Sequence, residues 1–217
     1  MLVLLPPSEG KAQPETGAPA DLGSLAYAEE LRERREALLD ALDPKLREAP
    51  AMPAAEVYTG VLYGRLQLPK LPAKARHHVL IASMLWGLVR PDDRIPYYRL
   101  PPKERFDGIG PLAKYWRPAL AAALPDDEAD LILDMRSAAY SAMWKPKRAT
   151  LLAVRAFTES DGERKAVSHM AKAVRGEVAR ALLQAKQPPS EPGDAAAIAE
   201  AAGFRVELAD GSLDVIV

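Results

Sequence analysis

Three groups with chemistry in them sit in the six residues Pro6-Pro7-Ser8-Glu9-Gly10-Lys11: a hydroxyl, a carboxylate and an amine, with a glycine between the last two. The stretch follows directly on the apolar run Leu2–Leu5, which reads as a strand. In open α/β sheets, ligands sit at the carboxyl ends of strands. The spaced glycines and the GK[ST] ending of a nucleotide-gripping loop are missing, so this is not a Walker motif, and a plain surface turn is the competing reading. A second polar segment runs from Trp86 to Leu100 and holds Arg90, Asp93, Tyr98 and Arg99 among prolines. It admits two readings. One is an internal network in which Asp93 orients Arg90 or Arg99. In the other, guanidinium forks and tyrosine hydroxyls present themselves to a phosphate.

Further groups follow the same logic. Asp134 to Tyr140 ends an apolar run and starts a helical pattern, offering Arg136 and Tyr140 beside the same sheet edge. In the helical segment 169–186, Met170, Val174, Val178, Ala181 and Leu182 form an apolar stripe, while Lys172, Arg175 and Ala179 fall opposite. Residues 106–116, FDGIGPLAKYW, put Gly108 and Gly110 around one isoleucine ahead of a helix that carries Lys114 and, just beyond, Arg117. Glycine amides at a helix start can grip a phosphate; the same residues also serve as an ordinary start of a helix, and Asp107 would repel an anion. Glu9 and Asp93 are the carboxylates placed to move a proton across a cleft, but no pairing of these groups forms a recognised catalytic set.

The elements that would carry these groups alternate along the chain. Apolar runs at 2–5, 78–83, 130–135, 150–157, 204–208 and 213–217 read as strands, and 24–48, 57–66, 111–123, 136–144, 169–186 and 194–202 read as helices. The interleaving predicts an α/β or α+β fold, a mixed β-sheet with surrounding helices. Proline-rich joints punctuate it without forming long linkers, so residues 1–217 are expected to be one domain, with 106–123 a hairpin-helix element inside it.

Composition narrows the chemistry. The chain has 217 residues, no cysteine, three histidines and a formal net charge of −1. Without cysteine there is no disulfide, thiolate metal site or thiol redox sensor. His77 and His78 sit in a strand-like run where neighbours point to opposite faces, so no metal and no cofactor are expected. Residues 90–117 carry seven Lys/Arg against four Asp/Glu, and residues 136–186 carry eleven against four, which concentrates positive charge where an anion would bind. No apolar run is long enough for a membrane helix, and the first residues lack the basic start of a signal peptide, so a cytoplasmic protein without membrane partners is expected.

Taken in order, PPSEGK, Val57-Tyr58-Thr59-Gly60, LWGLVRPDDRIPYYRL, Trp116, RSAAY and Ala171-Lys172 to Gly176 resemble the YaaA peroxide-stress family. The resemblance covers residues 1 to about 186 and leaves the C-terminal thirty or so residues unassigned. It implies an unusual α/β arrangement with a basic cleft, binding of double-stranded DNA through a helix-hairpin-helix element, and protection against peroxide that includes lowered free iron. Matched position by position, it implies that Ser8, Lys11, Tyr58, Arg90, Asp93, Tyr98, Arg99 and Lys172, with Tyr140, line that cleft. Three functions therefore stand side by side: a DNA-binding stress protein, an enzyme acting on a nucleotide or other phosphorylated small molecule in the same place, and, more plainly, a protein-interaction role for the basic face.

Overall fold

The computed structural model describes residues 1–124, 129–160, 163–166 and 168–217. In chain order the strands are β1 (Leu2–Leu5), β2 (Ala51–Pro53), β3 (Val79–Ser83), β4 (Gly87–Val89), β5 (Arg94–Pro96), β6 (Arg105–Phe106), β7 (Gly110–Pro111), β8 (Leu131–Asp134), β9 (Thr150–Ser160), β10 (Glu163–Ala166), β11 (Arg205–Ala209) and β12 (Ser212–Ile216). The helices are α1 (Ala28–Leu42), α2 (Ala54–Val57), α3 (Val61–Leu66), α4 (Ala73–Arg76), α5 (Leu112–Ala123), α6 (Ala138–Ser141), α7 (Ser168–Gln184) and α8 (Pro192–Ala201).

The described residues form an eight-stranded sheet in the order β11-β12-β9-β8-β1-β3-β4, with β10 pairing back on β9. β3, β1, β8, β9 and β12 are mutually parallel, while β4, β10 and β11 run against them. This is the mixed α/β sheet with surrounding helices that the interleaved runs predict. Every residue of β1, β3 and β8 is buried, as expected for parallel strands covered on both faces, whose sequences read as continuous apolar runs.

Topology marks one place on this sheet. The chain passes from β1 to β3 on one side, while β8, on the other side of β1, leads on to β9. Connections thus depart in opposite directions from the β1/β8 boundary, and the crevice beyond the carboxyl ends of those strands is a topological switch point. The registers Leu5 to Ile81 and Leu4 to Asp134 bring the loops after β1, β3 and β8 out on that same edge.

Two helices border it. α3 and α7 pack in step and in the same direction: Leu62 O faces Gly176, and Arg180 Nη1 donates to Leu66 O at 3.4 Å and to Gln67 Oε1 at 2.7 Å. α5 is tied to the same edge by Trp116 Nε1, which donates to Met84 O at 2.8 Å just after β3, and by Arg117 Nη2, which donates to Ala142 O at 3.1 Å just after α6. The C-terminal segment left unassigned by sequence supplies α8 and the β11–β12 hairpin, which extends the sheet through β9. Among the described residues no helix is long and apolar enough to cross a membrane.

Candidate functional site

Lys11 lies in the loop that leaves β1 at the carboxyl edge. Its backbone forms a β-bridge with Tyr58, and Ala12 N donates to Val57 O at 2.8 Å, so the loop after β1 is pinned to the segment between α2 and α3. Its amine lies 4.6 Å from the centroid of the Tyr98 ring and 6.0 Å from that of Tyr58. Beneath it the two buried tyrosines share a hydrogen bond of 2.9 Å between their hydroxyls, and the Tyr98 hydroxyl is also 2.7 Å from Ser83 Oγ. Ser83 Oγ in turn accepts from the N–H groups of Leu85 and Trp86, and Tyr63 donates to Pro6 O at 2.7 Å, which holds the start of the loop. The platform under the amine is therefore rigid from β3 through to β1.

The electrostatics follow from that burial. Desolvation pulls the Lys11 amine below the ordinary lysine range; Glu9 opposes the shift and Arg99 reinforces it. Burial pushes Tyr58 and Tyr140 well above the usual phenol value and Tyr98 up to about 12. All three hydroxyls stay protonated near neutral pH and act as neutral donors and acceptors. Ser8 Oγ donates to Gly10 O, which curls the loop, and Gly60 packs so closely that a side-chain carbon there would lie 2.8 Å from Ser8 Cβ.

Lys172 lies one helical turn before Gly176 on α7, the helix that packs on α3, and shares a face of it with that glycine. Its side chain is exposed. Arg99 is likewise exposed and is an electrostatic neighbour of Lys11.

Other groups expected in the cleft are placed differently. Arg90 Nη1 donates to His77 O at 2.9 Å, on the far edge of the sheet, because β4 runs antiparallel and its carboxyl end points away from Lys11. Asp93 Oδ2 accepts from Arg90 N at 2.9 Å and Ala26 N at 3.0 Å beside Arg35, and burial raises its pKa; it staples loops at that position and does not face Glu9. Arg136 is buried and bound by both oxygens of Asp134 at 2.8 and 2.9 Å, with a further bond to Trp144 O, so it holds the loop after β8 in shape. Arg175 is half-buried and its Nε donates to Val154 O at 2.8 Å. His77 caps α4 and His78 precedes β3, so neither lies on a strand.

The glycine segment forms a β6–β7 hairpin that leads straight into α5, with positive φ of 77° at Gly108 and 73° at Gly110. No helix stands ahead of it: residues 97–104 are irregular, broken by Pro101 and Pro102, so a full helix-hairpin-helix is not formed. What remains is a hairpin followed by one helix. A side-chain carbon built at Gly108 or Gly110 would meet nothing within 4 Å; Gly108 is exposed and Gly110 half-buried, paired with Phe106. The hairpin faces a shallow groove of about 670 Å³ lined by Arg34, Arg105, Asp107 and Lys114. Arg34 stacks on Tyr115 at 4.6 Å.

Sequence reasoning missed Ser83, Tyr63 and Arg34. Ser83 alone carried a signal, as the polar residue that closes the apolar run VLIAS.

The profile of the family described as peroxide stress protein YaaA matches residues 1–208. A UPF0246 protein of Streptomyces coelicolor is 40% identical, with 100% of this chain and 98% of that one aligned. A UPF0246 protein of Corynebacterium efficiens is 36% identical over the same shares, and one of Idiomarina loihiensis is 29% identical over 78% of this chain and 70% of its own. With a match of that extent, and with the PPSEGK loop, the Tyr58–Tyr98 platform and the α3–α7 contact built from the segments that carry the resemblance, the chain belongs to the peroxide stress protein YaaA family.

Proposed function

We propose that this protein binds double-stranded DNA by its phosphate backbone along the carboxyl edge of the sheet, and that this binding serves protection against peroxide and iron damage. The observation that supports the reading is that Lys11, seated over the buried Tyr98 ring, has Arg99, far away in sequence, as a cationic neighbour, on the edge to which α5, the helix after the glycine hairpin, is tied. Lysine and arginine side chains with exposed backbone amides neutralise and position phosphates and need no base readout. Lys114 and Arg34 beside the hairpin and Lys172 on α7 extend the positive rim.

A salt series of duplex affinity tests it. Each phosphate neutralised adds about 0.9 to the slope of log affinity against log salt, so Lys11→Gln combined with Arg99→Gln should flatten the slope by about 2. Ala at both Gly108 and Gly110 should weaken binding, and Asp107→Asn should tighten it, most at low salt where screening is weakest. Unfolding curves accompany the glycine variant, since alanine at positive φ costs roughly 1–2 kcal/mol per residue. An unchanged slope in the Lys11/Arg99 variant contradicts the reading.

One observation favours a second reading, an enzyme acting on a nucleotide or other phosphorylated small molecule. The Lys11 amine, the Glu9 carboxylate and the Tyr58–Tyr98–Ser83 hydroxyl chain supply more acid–base capacity than phosphate neutralisation requires. That reading expects saturable binding of a mononucleotide with a shallow salt dependence.

A further inference from the structure

A lysine whose task is only to hold a phosphate is best left hydrated and fully charged at the end of a flexible stem. Lys11 is arranged otherwise. Its main chain is fixed by the bridge to Tyr58, and its amine is seated over Tyr98, a ring locked in place by hydrogen bonds at its hydroxyl. Desolvation lowers the pKa of the amine; Glu9 is a nearby carboxylate that opposes the shift, and Arg99 is a second cation that reinforces it. Desolvation together with a cationic neighbour is the arrangement that turns a lysine into a nucleophile toward carbonyl carbon, because it raises the share of neutral amine. The same surroundings supply a group to relay a proton and a guanidinium to hold an anion next to the reacting carbon.

We propose that Lys11 captures the aldehyde of a phosphorylated sugar as an imine. The inference rests on the phosphate-binding reading of this edge and adds a covalent step to it. The chemistry has two sources: the ring-opened deoxyribose of an abasic site in DNA, and a free sugar phosphate. In the step, the lone pair of neutral Lys11 Nζ attacks the aldehyde carbon and a C–N bond forms. The carbonyl oxygen gains two protons, both originating on the amine nitrogen, and leaves as water as the C=N bond forms. Glu9 is the group beside the amine that can carry a proton from nitrogen to oxygen. No oxidant or reductant is consumed.

Borohydride trapping tests it, because hydride reduces the imine carbon and leaves a stable secondary amine. Full-length protein is incubated with three probes: a duplex carrying one abasic site, 2-deoxyribose 5-phosphate, and an intact duplex as a control for binding. The expected result is a covalent adduct with the abasic duplex, mapped by peptide mass to Lys11. Lys11→Arg keeps the charge and has no amine able to form an imine, so at saturating duplex its adduct should fall about tenfold or more. Melting curves confirm that this variant is folded. Adduct with the sugar phosphate alone, in a protein that does not bind intact duplex, supports the Lys11 chemistry and rejects the DNA reading. Binding of intact duplex without adduct on either aldehyde probe overturns the imine and leaves the DNA reading standing. An adduct mapped to another lysine, or equal trapping by folded Lys11→Arg, also overturns it.

Discussion

Replacing Arg35 by alanine is expected to cost about 4 kcal/mol of folding stability and to lower the melting temperature by about 10 °C. Arg35 lies in the buried face of α1 and is itself fully buried. Its Nε donates to Trp86 O at 3.0 Å, and its Nη2 donates to Ala26 O at 2.7 Å and Leu88 O at 2.8 Å. Burial lowers its pKa to about 10, still high enough to keep the charge, with Asp93 and Glu30 opposing the shift. Alanine would strand two buried carbonyls, Trp86 O and Leu88 O, each worth roughly 1–3 kcal/mol, and leave the part-buried Ala26 O to solvent. Leu88 belongs to β4, the last strand beside β3, and Trp86 leads into it, so the loss would loosen the segment that leads to Tyr98 and Arg99. Arg35→Lys should recover only part of the loss, because a point charge cannot reproduce the planar fork. Chemical denaturation measures both; an alanine variant within about 1 kcal/mol of the parent would mean that the carbonyls are satisfied without the guanidinium.

The second large effect is at the α3–α7 contact. A side-chain carbon at Gly176 would lie 2.3 Å from Leu62 O and 3.0 Å from Arg65 Cβ. Backbone on backbone cannot yield, so Gly176→Ala should push the helices apart and cost about 3 kcal/mol. Under the DNA-binding proposal it should also reduce duplex affinity in the folded fraction, because α7 is the helix that carries Lys172. Gly64, in the same α3, provides the contrast. A side-chain carbon there meets nothing within 4 Å, and alanine should stabilise by about 0.5–1 kcal/mol through helix propensity alone. Urea unfolding of the two variants side by side separates steric clash from propensity; equal effects would remove the packing role assigned to Gly176.

The central parallel strands β1, β3 and β8 were legible because each is a short, mostly apolar run, and every residue in them is buried. Arg90 was misplaced for a definite reason. The residue after a strand reaches the carboxyl edge only if that strand runs parallel to β1, and the sense of β4 is not written in its three residues. On α7 the stripe is buried at Val174, Val178 and Leu182 as expected, with Lys172 exposed, and two positions were misread. Met170 is 49% exposed while Ala179 is fully buried, because the packing against α3 and β9 uses small residues that bring backbones close, and these carry little weight in an apolar stripe. Ser83 and Tyr63 were invisible as partners because their roles depend on which loop folds over which strand end. Lys11 and Tyr98 stood out from their polar segments, Tyr58 came from the resemblance, and their juxtaposition came from the fold.

The most direct measurement of the central claim is hydrogen exchange of the full chain with and without a short duplex at low salt. If DNA lies along the carboxyl edge, amides of residues 8–12, 58–60, 97–100 and 108–114 should be protected on adding duplex, and protection should fade as salt rises. The far edge around His77, His78 and Arg90 should exchange as in the free protein. Protection confined to that far edge, or no protection anywhere at duplex concentrations that saturate binding, would contradict the account.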